Sequence, residues 1–305
     1  VAYLASLPQG DFSWAIAGRD ESKLVALKIE QGLTDVPHYV ADANDERALT
    51  ALCKKSKVII STVGPYALYG ETLLSVCAHT GTDYCDLTGE PQWIRAMLDK
   101  YEMQAQESGA RIVNCVGFDS VPSDLGVYLS QRLAIEKTGK PASQIKMRVH
   151  AIKGGASGGT VASMLNVLKE AKGNPGLRKM LLDPYMLCGS EHPFHLRQKN
   201  HVRAEYDDTL GTWTMPFVMA AINERIDHRS NQLLNAKYGK EFLYDEAMSS
   251  KNAMSAWATT LGLGAFIGAA SFSPIQRLLA DHVLPKPGEG PSPSAQESGM
   301  FDLRF

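Results

Sequence analysis

Short apolar runs alternate with helical patterns from Phe12 to about Val116. This alternation is typical of a parallel sheet wound with crossover helices. The predicted strands are residues 12–18, 38–41, 57–63, 83–86 and 111–116. The third strand contains an uninterrupted Val-Ile-Ile run, which indicates a position at the buried centre of the sheet. Asp20 is expected to cap the first crossover helix, and Pro91 is expected to begin a longer one.

The hydrophobic period changes near residue 146, which predicts a second domain. Met147, Val149 and Ala151 alternate with polar residues, as in a strand that has one face in water. A helical pattern follows this strand, and residues 300–305 alternate like a half-buried strand. The predicted fold class is therefore α/β. Residues 1–145 form a doubly wound parallel sheet, and residues 146–305 form a second α+β domain for substrate binding or dimerisation.

Residues 252–276 contain neither a charged residue nor a histidine. At about 1.5 Å per residue, a helix over this segment is long enough to cross a bilayer. Serine, threonine and glycine make the segment only moderately hydrophobic. Three interpretations stay open: a buried helical hairpin, which we favour, an apolar patch that docks on a lipid surface, and a membrane-spanning helix.

The chain has 305 residues, 44% hydrophobic and 21% charged, which is typical of a globular protein with two cores. Its formal net charge of −2 provides no basic surface for a phosphate backbone, so we expect no nucleic acid partner. The five cysteines include no C-x-x-C pair and indicate free thiols in a reducing, intracellular compartment. The first seven residues resemble the end of a helix rather than a signal peptide, and we expect both chain ends to be truncated.

Candidate cofactor-binding residues follow the first two predicted strands. In a doubly wound dinucleotide domain, an acid after the second strand binds the ribose 2′-hydroxyl of NAD. In this chain the strand at residues 12–18 takes the place of that second strand, and Arg19 follows it. A guanidinium there can instead clamp the 2′-phosphate of NADP. An arginine that merely closes the turn is the alternative. Asp42 follows the next strand, where it either reaches the adenine edge or caps the following helix.

The Val-Ile-Ile strand ends in a second candidate binding segment, Thr62-Val-Gly-Pro-Tyr66. Glycine allows the backbone to approach a ligand closely, and cofactors lie at the carboxyl ends of parallel strands. We therefore predict that Thr62, Gly64 and Pro65 contact a cofactor.

Carboxylates follow two later strands. Glu90, Asp119 and Asp124 are candidates for a proton donor, a substrate anchor or helix caps. Capping is favoured for Asp124 because it precedes an apolar helix, while spacing does not rank the alternatives for Glu90 and Asp119. His192 and His195 lack a convincing set of partner ligands, so no metal site is predicted.

Six short motifs together resemble the saccharopine dehydrogenase-like oxidoreductases, which include trans-acting enoyl reductases of complex-lipid synthesis and lipid-droplet-associated members. The motifs are Trp14-Ala-Ile-Ala-Gly-Arg19, Val63-Gly-Pro-Tyr66 with Tyr69-Gly70, Asp83-Tyr-Cys-Asp-Leu-Thr-Gly-Glu90, Gly117-Phe-Asp-Ser-Val-Pro-Ser-Asp124, Gly158-Gly-Thr160 and Lys286-Pro-Gly-Glu-Gly-Pro291. Their order and spacing along the whole chain carry the resemblance.

The resemblance implies a Rossmann-type first domain that uses NADP, and reduction of a carbon–carbon double bond in a lipid or glycolipid intermediate. Tyr66, Glu90 and Asp119 are then the candidate catalytic residues that orient the reaction and supply a proton. The family's first strand and its glycine turn are missing here. The strands at Phe12 and His38 therefore cannot pair with the strand at Lys57, and we expect weak NADP binding and impaired activity.

The predicted partner is a small, lipid-like substrate. A membrane or lipid-droplet surface and a second copy of the chain are further candidate partners, and the expected location is the cytoplasm, at the periphery of such a surface. Two other hypotheses stay open: a non-catalytic lipid-associated protein that keeps the fold as a scaffold, and a soluble metabolic dehydrogenase in which residues 252–276 are core.

Overall fold

A computed structural model describes residues 1–7, 12–155, 158–282, 284 and 289–305. The chain forms two compact units. The first comprises Val1–Val63, Ala67–Cys85 and Asp99–Val113, and the second comprises Gly64–Tyr66, Asp86–Leu98 and Asn114–Phe305. The glycine-rich segment at 154–159 and the motif at 286–291 lie partly outside the described residues. The predicted domain boundary at residue 145 stays a prediction.

A two-stranded parallel sheet begins the first unit after the short helix α1, Ala2–Ser6. Strand β1, Ile16–Gly18, pairs with β2, His38–Val40, and Gly18 lies opposite Val40. Helix α2, Glu21–Glu30, begins as predicted because the Asp20 carboxylate accepts a hydrogen bond from Lys23 N at 3.1 Å. Helix α3 covers Glu46–Cys53.

A second sheet has the order β3-β4-β5, with β3 at Val58–Ser61, β4 at Asp83–Asp86 and β5 at Ile112–Val113. Within the described residues it shares no strand pairing with β1 and β2. The predicted central position of the Val-Ile-Ile strand is wrong. In the described part of the chain only β4 borders β3, and Val58 and Ile60 are 52% and 61% exposed. Along the chain, α4 at Tyr66–Tyr69 and α5 at Glu71–Thr80 lie between β3 and β4, and α6 at Pro91–Ser108 lies between β4 and β5.

A five-stranded mixed sheet forms the second unit, in the order β10-β6-β9-β8-β7. The strands are β6 at Gln144–Lys153, β7 at Glu205–Asp207, β8 at Thr212–Met215, β9 at Leu243–Ser250 and β10 at Met300–Arg304. Strands β6 and β9 are parallel, and the other neighbours are antiparallel. The helices are α7 at Val121–Thr138, α8 at Gly158–Gly173, α9 at Pro175–Met180, α10 at Ala220–Leu233, α11 at Ala253–Ala270, α12 at Ser273–His282 and α13 at Pro293–Glu297. The predicted strands at 146–153 and 300–305 are thereby confirmed.

The core of the second unit lies on one face of β6 and β9. Met147 and Val149 of β6 pack with Tyr244 of β9, and all three are at most 1% exposed. Burying each such apolar side chain stabilises the fold by about 1.5–3 kcal/mol. The opposite face of β6 is not fully wet as predicted, because Arg148 is only 3% exposed. Two carboxylates lie beside its guanidinium and hold it in the interior.

The uncharged segment, residues 252–276, forms α11 and the first turn of α12, and these two helices contact each other. Asn252 caps α11 by accepting a hydrogen bond from Ser255 N at 2.9 Å. Only 17% of α11 is buried. With 18 residues and a mean hydropathy of 1.3, the helix is long and apolar enough to cross a membrane by length and composition. The favoured interpretation of a buried hairpin is therefore wrong, because most residues of α11 are exposed.

Candidate functional site

Arg19 and Asp42 follow the two parallel strands of the first sheet at the same end. The pairing of Gly18 with Val40 places both residues just past the carboxyl ends of β1 and β2. Arg19 is exposed, and its guanidinium has no hydrogen-bond or ion-pair partner among the described residues. This position leaves its donors available to an anionic group of a ligand.

Asp42 does not cap the next helix. Its carboxylate accepts a hydrogen bond from Asn44 N at 2.9 Å, while Asp45 caps α3 by accepting from Ala48 N at 3.0 Å. The capping alternative for Asp42 is therefore wrong, because the helix begins three residues further on. Its contact with an adenine edge stays a prediction.

The segment after β3 contains Thr62, Gly64 and Pro65. Thr62 is exposed, and the peptide bond between Gly64 and Pro65 is cis. A methyl group added at Gly64 would lie 3.4 Å from the Tyr66 ring and 3.8 Å from the Ser163 hydroxyl, which are ordinary contact distances. Internal packing therefore does not require glycine here, and close approach to a cofactor remains its predicted reason.

Glu90 is a fully buried carboxylate in the second unit. Its Oε1 accepts hydrogen bonds from Tyr66 N at 2.8 Å and from the Ser163 hydroxyl at 2.7 Å. The Tyr66 ring packs against Trp93, with 5.5 Å between the ring centroids. A buried carboxylate needs such donors because its oxygens have lost their hydrogen bonds to water. Glu90 thus joins the corner at Tyr66 to helix α8, and these contacts define the Tyr66–Glu90 cluster, which consists of Tyr66, Glu90, Trp93 and Ser163.

Tyr66 carries a buried hydroxyl that accepts a 3.4 Å hydrogen bond from Leu87 N. Burial raises the pKa of Tyr66 above its ordinary value; the hydrogen bond from Leu87 lowers it, and the nearby charges of Asp86 and Glu90 raise it further. The phenol therefore keeps its proton at neutral pH. A buried protonated phenol can donate a proton to a ligand.

Asp86 connects its own motif to the residues just before the Gly117–Asp124 motif. Its carboxylate accepts hydrogen bonds from Thr88 N and Cys115 N, both at 3.1 Å, and from the Asn114 amide at 2.7 Å. Cys115 adopts a φ of 60°, which is uncommon for a residue with a side chain. The hydrogen bond to Asp86 helps to hold that conformation, so the loop before Gly117 has a fixed path.

Asp119 and Asp124 lie in the Gly117–Asp124 motif but outside the Tyr66–Glu90 cluster. Asp119 is exposed and has no hydrogen-bond partner among the described residues, and partial desolvation raises its pKa. Asp124 is not the cap of α7. Ser120 holds that position, and Asp124 lies in the first turn, where burial raises its pKa. The favoured capping role of Asp124 is therefore wrong, because the helix begins four residues earlier than expected.

Asn223 of α10 was not predicted from the sequence, and its side chain holds the Gly117–Asp124 motif in place. Its amide oxygen accepts a hydrogen bond from Ser120 Oγ at 2.9 Å, and its amide nitrogen donates to Ser123 at 3.1 Å and to Glu246 at 2.9 Å. Ser163 was also missed, although it lies only three residues after Thr160 of the Gly158-Gly-Thr160 motif. No periodicity or spacing marks either residue, because their partners lie far away along the chain.

Two comparisons with known proteins identify the family. Residues 3–113 match the model of the saccharopine dehydrogenase NADP binding domain. A Mycobacterium tuberculosis protein provisionally named a trans-acting enoyl reductase is 39% identical over 312 residues, covering 96% of this chain and 74% of its own length. This chain belongs to the saccharopine dehydrogenase-like oxidoreductases. The trans-acting enoyl reductase of Mycobacterium ulcerans is 36% identical, with 94% of this chain and 72% of its own length covered.

The solved structure of apo saccharopine dehydrogenase (L-Glu forming) from Saccharomyces cerevisiae also resembles this chain. It is 17% identical, covers 55% of this chain and 37% of its own, and superposes with a TM-score of 0.40.

Membership in this family confirms the predicted α/β, Rossmann-type fold and the predicted cofactor. The protein is an NADP-dependent oxidoreductase. The predicted cofactor-binding residues all lie within the range matched by the NADP binding domain: Arg19, Asp42, Thr62, Gly64 and Pro65. Their individual contacts stay predictions. Among the described residues, no group of three or more histidine, cysteine, aspartate or glutamate side chains is arranged to hold a metal ion.

Proposed function

We propose that this protein reduces the carbon–carbon double bond of an enoyl intermediate in lipid or glycolipid metabolism, with NADPH as the reductant. The observation that carries the proposal is the 36–39% identity, over at least 94% of this chain, to proteins named trans-acting enoyl reductases. The buried Tyr66–Glu90 cluster supports it, because reduction of a double bond requires a proton as well as a hydride.

The residues present fit the cofactor. The partner-free guanidinium of Arg19 suits a 2′-phosphate, because its planar donors match phosphate oxygens in pairs. Asp42, at the same end of the first sheet as Arg19, would lie beside the adenine. When bound, NADPH supplies the hydride that is added to one carbon of the double bond.

The chain itself must supply a proton to the other carbon of the double bond. In our proposal the Tyr66 hydroxyl gives up that proton, since burial keeps the phenol protonated until the substrate carbon becomes basic. Glu90 positions Tyr66 through its hydrogen bond to the backbone N–H. Asp119 is the second candidate donor, because its raised pKa increases its protonated fraction. The products are the saturated acyl group and NADP⁺, and a proton from water then restores the donor side chain.

Arg19→Ala tests the proposed function together with its cofactor. We expect the wild-type chain to oxidise NADPH when a 2-enoyl thioester is added and to release the saturated thioester. The variant should lose about tenfold to a hundredfold in kcat/KM for NADPH, since a bidentate contact with phosphate is removed. Activity with NADH should not change. Loss of NADPH fluorescence measures the rate, and mass spectrometry identifies the product.

Arg111→Ala is the matched control for this experiment. Arg111 is also an exposed arginine of the first unit, but it lies before β5 and pairs with Asp83. Its replacement should leave the NADPH preference intact. If NADPH is oxidised no faster with the enoyl thioester than without it, the reductase proposal is wrong. If Arg19→Ala affects NADPH and NADH equally, Arg19 does not bind the 2′-phosphate.

We further propose that the substrate is lipid-like and that α11 docks on a membrane or lipid-droplet surface, which places the protein in the cytoplasm at the periphery of that surface. Met254, Trp257 and Leu261 of α11 are 83%, 42% and 65% exposed. Large apolar side chains grouped on one uncharged helix favour contact with lipid over contact with water. This helix also supports the second candidate function, a non-catalytic lipid-associated protein that keeps the fold as a scaffold.

Leu261→Lys should reduce binding to phosphatidylcholine vesicles by at least about tenfold. The substitution removes a leucine that would be buried in the lipid on docking, and it adds a charge at the lipid boundary. Vesicle flotation measures the bound fraction. Leu129→Lys is the control, since Leu129 is 53% exposed on α7. Equal flotation of both variants would contradict docking through α11. Flotation of a wild-type chain that oxidises no NADPH with any enoyl thioester would favour the scaffold function.

A further inference from the structure

The second unit contains a cavity of about 940 Å³ that shares no residue with the Tyr66–Glu90 cluster or the predicted NADP-binding residues. One wall is the irregular stretch from Leu182 to Val202, and the other is formed by the first residues of β6 and β9. This volume lies within the usual range for small-molecule sites, about 300–1,000 Å³.

Apolar groups line part of the cavity and face solvent. Leu182 and Val202 are 78% and 70% exposed although both border the same cavity. Behind them, the rings of Tyr185 and Phe194 are buried and stack with 5.6 Å between centroids. An occupant with an apolar body would cover the exposed leucine and valine, which otherwise stay in contact with water.

The lining contains two cationic side chains, two carboxylates and two imidazoles: Arg197, Lys199, Asp183, Asp245, His192 and His195. Arg197 and His195 line the cavity, are exposed, and have no hydrogen-bond or ion-pair partner in the described part of the chain. Lys199 also lines it and pairs with Glu205 outside the lining.

The acids of the lining, by contrast, are engaged within the protein. Asp245 lies 2.8 Å from Arg148 and 2.6 Å from His201, and Asp183 accepts a hydrogen bond from Tyr185 N at 2.9 Å. The donors that remain available therefore suit an anion.

Gln198 fixes the backbone that carries these basic side chains. Its amide nitrogen donates to the Tyr185 hydroxyl at 2.6 Å and to the Phe242 carbonyl at 3.1 Å, and its amide oxygen accepts from Tyr244 N at 3.1 Å. The stretch around Arg197 is thus anchored to β9 although it forms no regular secondary structure. Such anchoring lowers the entropy that a ligand must overcome on binding.

We propose that this cavity binds an organic anion: a phosphate or carboxylate head held by Arg197 and His195, with an alkyl or aryl body against Leu182 and Val202. The apolar lining favours a ligand with an apolar body, and the partner-free donors favour an anionic head group. The site does not depend on the proposed reductase activity, because none of its residues takes part in that chemistry.

Calorimetric titration of the full chain with hexyl phosphate tests the proposal. We expect saturable binding that is stronger than that of hexanol or inorganic phosphate, because each lacks one half of the recognised ligand. A parallel titration with hexanoate distinguishes a phosphate head from a carboxylate head. Arg197→Glu should weaken hexyl phosphate binding by at least about tenfold, since it replaces an attraction by a repulsion.

Two variants serve as controls. Arg203→Glu makes the same charge change on an exposed side chain that directly follows this stretch and does not line the cavity. Arg19→Ala removes the predicted phosphate contact of the cofactor. Both should bind hexyl phosphate like the wild type, and circular dichroism should show that all variants are folded. Absence of saturable binding, equal binding to Arg197→Glu and wild type, or equal binding of hexanol would overturn the proposal.

Discussion

Arg148→Met is expected to lower the free energy of unfolding by about 3–5 kcal/mol, the largest stability effect of the single substitutions considered. Arg148 is 3% exposed and lies 3.0 Å from Asp207 and 2.8 Å from Asp245. Desolvation opposes ionisation of Asp207, but Arg148 and Lys146 overcome it and lower the pKa of Asp207 to about 2. Methionine fills similar space and leaves two buried carboxylates without this guanidinium. Urea unfolding followed by circular dichroism measures the change.

Lys146→Met is the control for this substitution. Lys146 contacts the same Asp207 carboxylate at 3.2 Å, but its side chain is 22% exposed, so the loss should be at most about 1 kcal/mol. If Arg148→Met costs no more than Lys146→Met, the ion pairs of Arg148 add little to stability. The double variant Arg148→Met with Asp207→Asn should recover part of the loss, because one of the stranded charges is removed.

Local sequence signals predicted the elements that depend on local contacts. Asp20 was expected to cap α2, and its carboxylate does so through a residue three positions away. The strand at 300–305 was expected from its alternation, and it pairs with β6. Caps and strand periods are set within a few residues, so a single sequence contains the necessary information.

Helix beginnings were predicted less well where several polar residues compete. Asp42 and Asp45 can both cap α3, and Ser120 and Asp124 can both cap α7. Contacts of the competing residues differ between the two helices. The Asp42 carboxylate accepts a hydrogen bond from Asn44 N, and the Ser120 hydroxyl donates one to Asn223 of a distant helix. Such competition cannot be resolved without tertiary contacts.

The site shows the same division between local and distant contacts. Tyr66 and Glu90 were candidates because each follows a predicted strand, and the structure joins them by one hydrogen bond. Ser163 and the partners of Arg148 were missed because they come from other strands and helices, 59–97 residues away in the pairs concerned. The exposed face of α11 was among the open interpretations but was not the favoured one, because an uncharged apolar segment is most often buried.

Raising the pH from about 5 to 8 is expected to destabilise the second unit through Glu224. This glutamate is 8% exposed, and burial, reinforced by the charge of Glu246, raises its pKa from 4.5 to about 8. Between these values the folded chain holds a proton that the unfolded chain has released. The associated stability is complete below pH 4.5 and is lost as the pH rises through 8. One such proton corresponds to about 1.4 kcal/mol per pH unit, up to about 4 kcal/mol in total.

Glu224→Gln should reduce this pH dependence by about one proton, because glutamine keeps the shape of the side chain and cannot ionise. Urea unfolding at several pH values from about 5 to 8 gives the slope. Glu241→Gln, an exposed glutamate just before β9, should leave the slope unchanged. Asp227 and Glu246 are buried nearby with raised pKa values and would act in the same direction, so a smaller slope should persist in Glu224→Gln. An unchanged slope in Glu224→Gln would show that the proton is held on these neighbours instead.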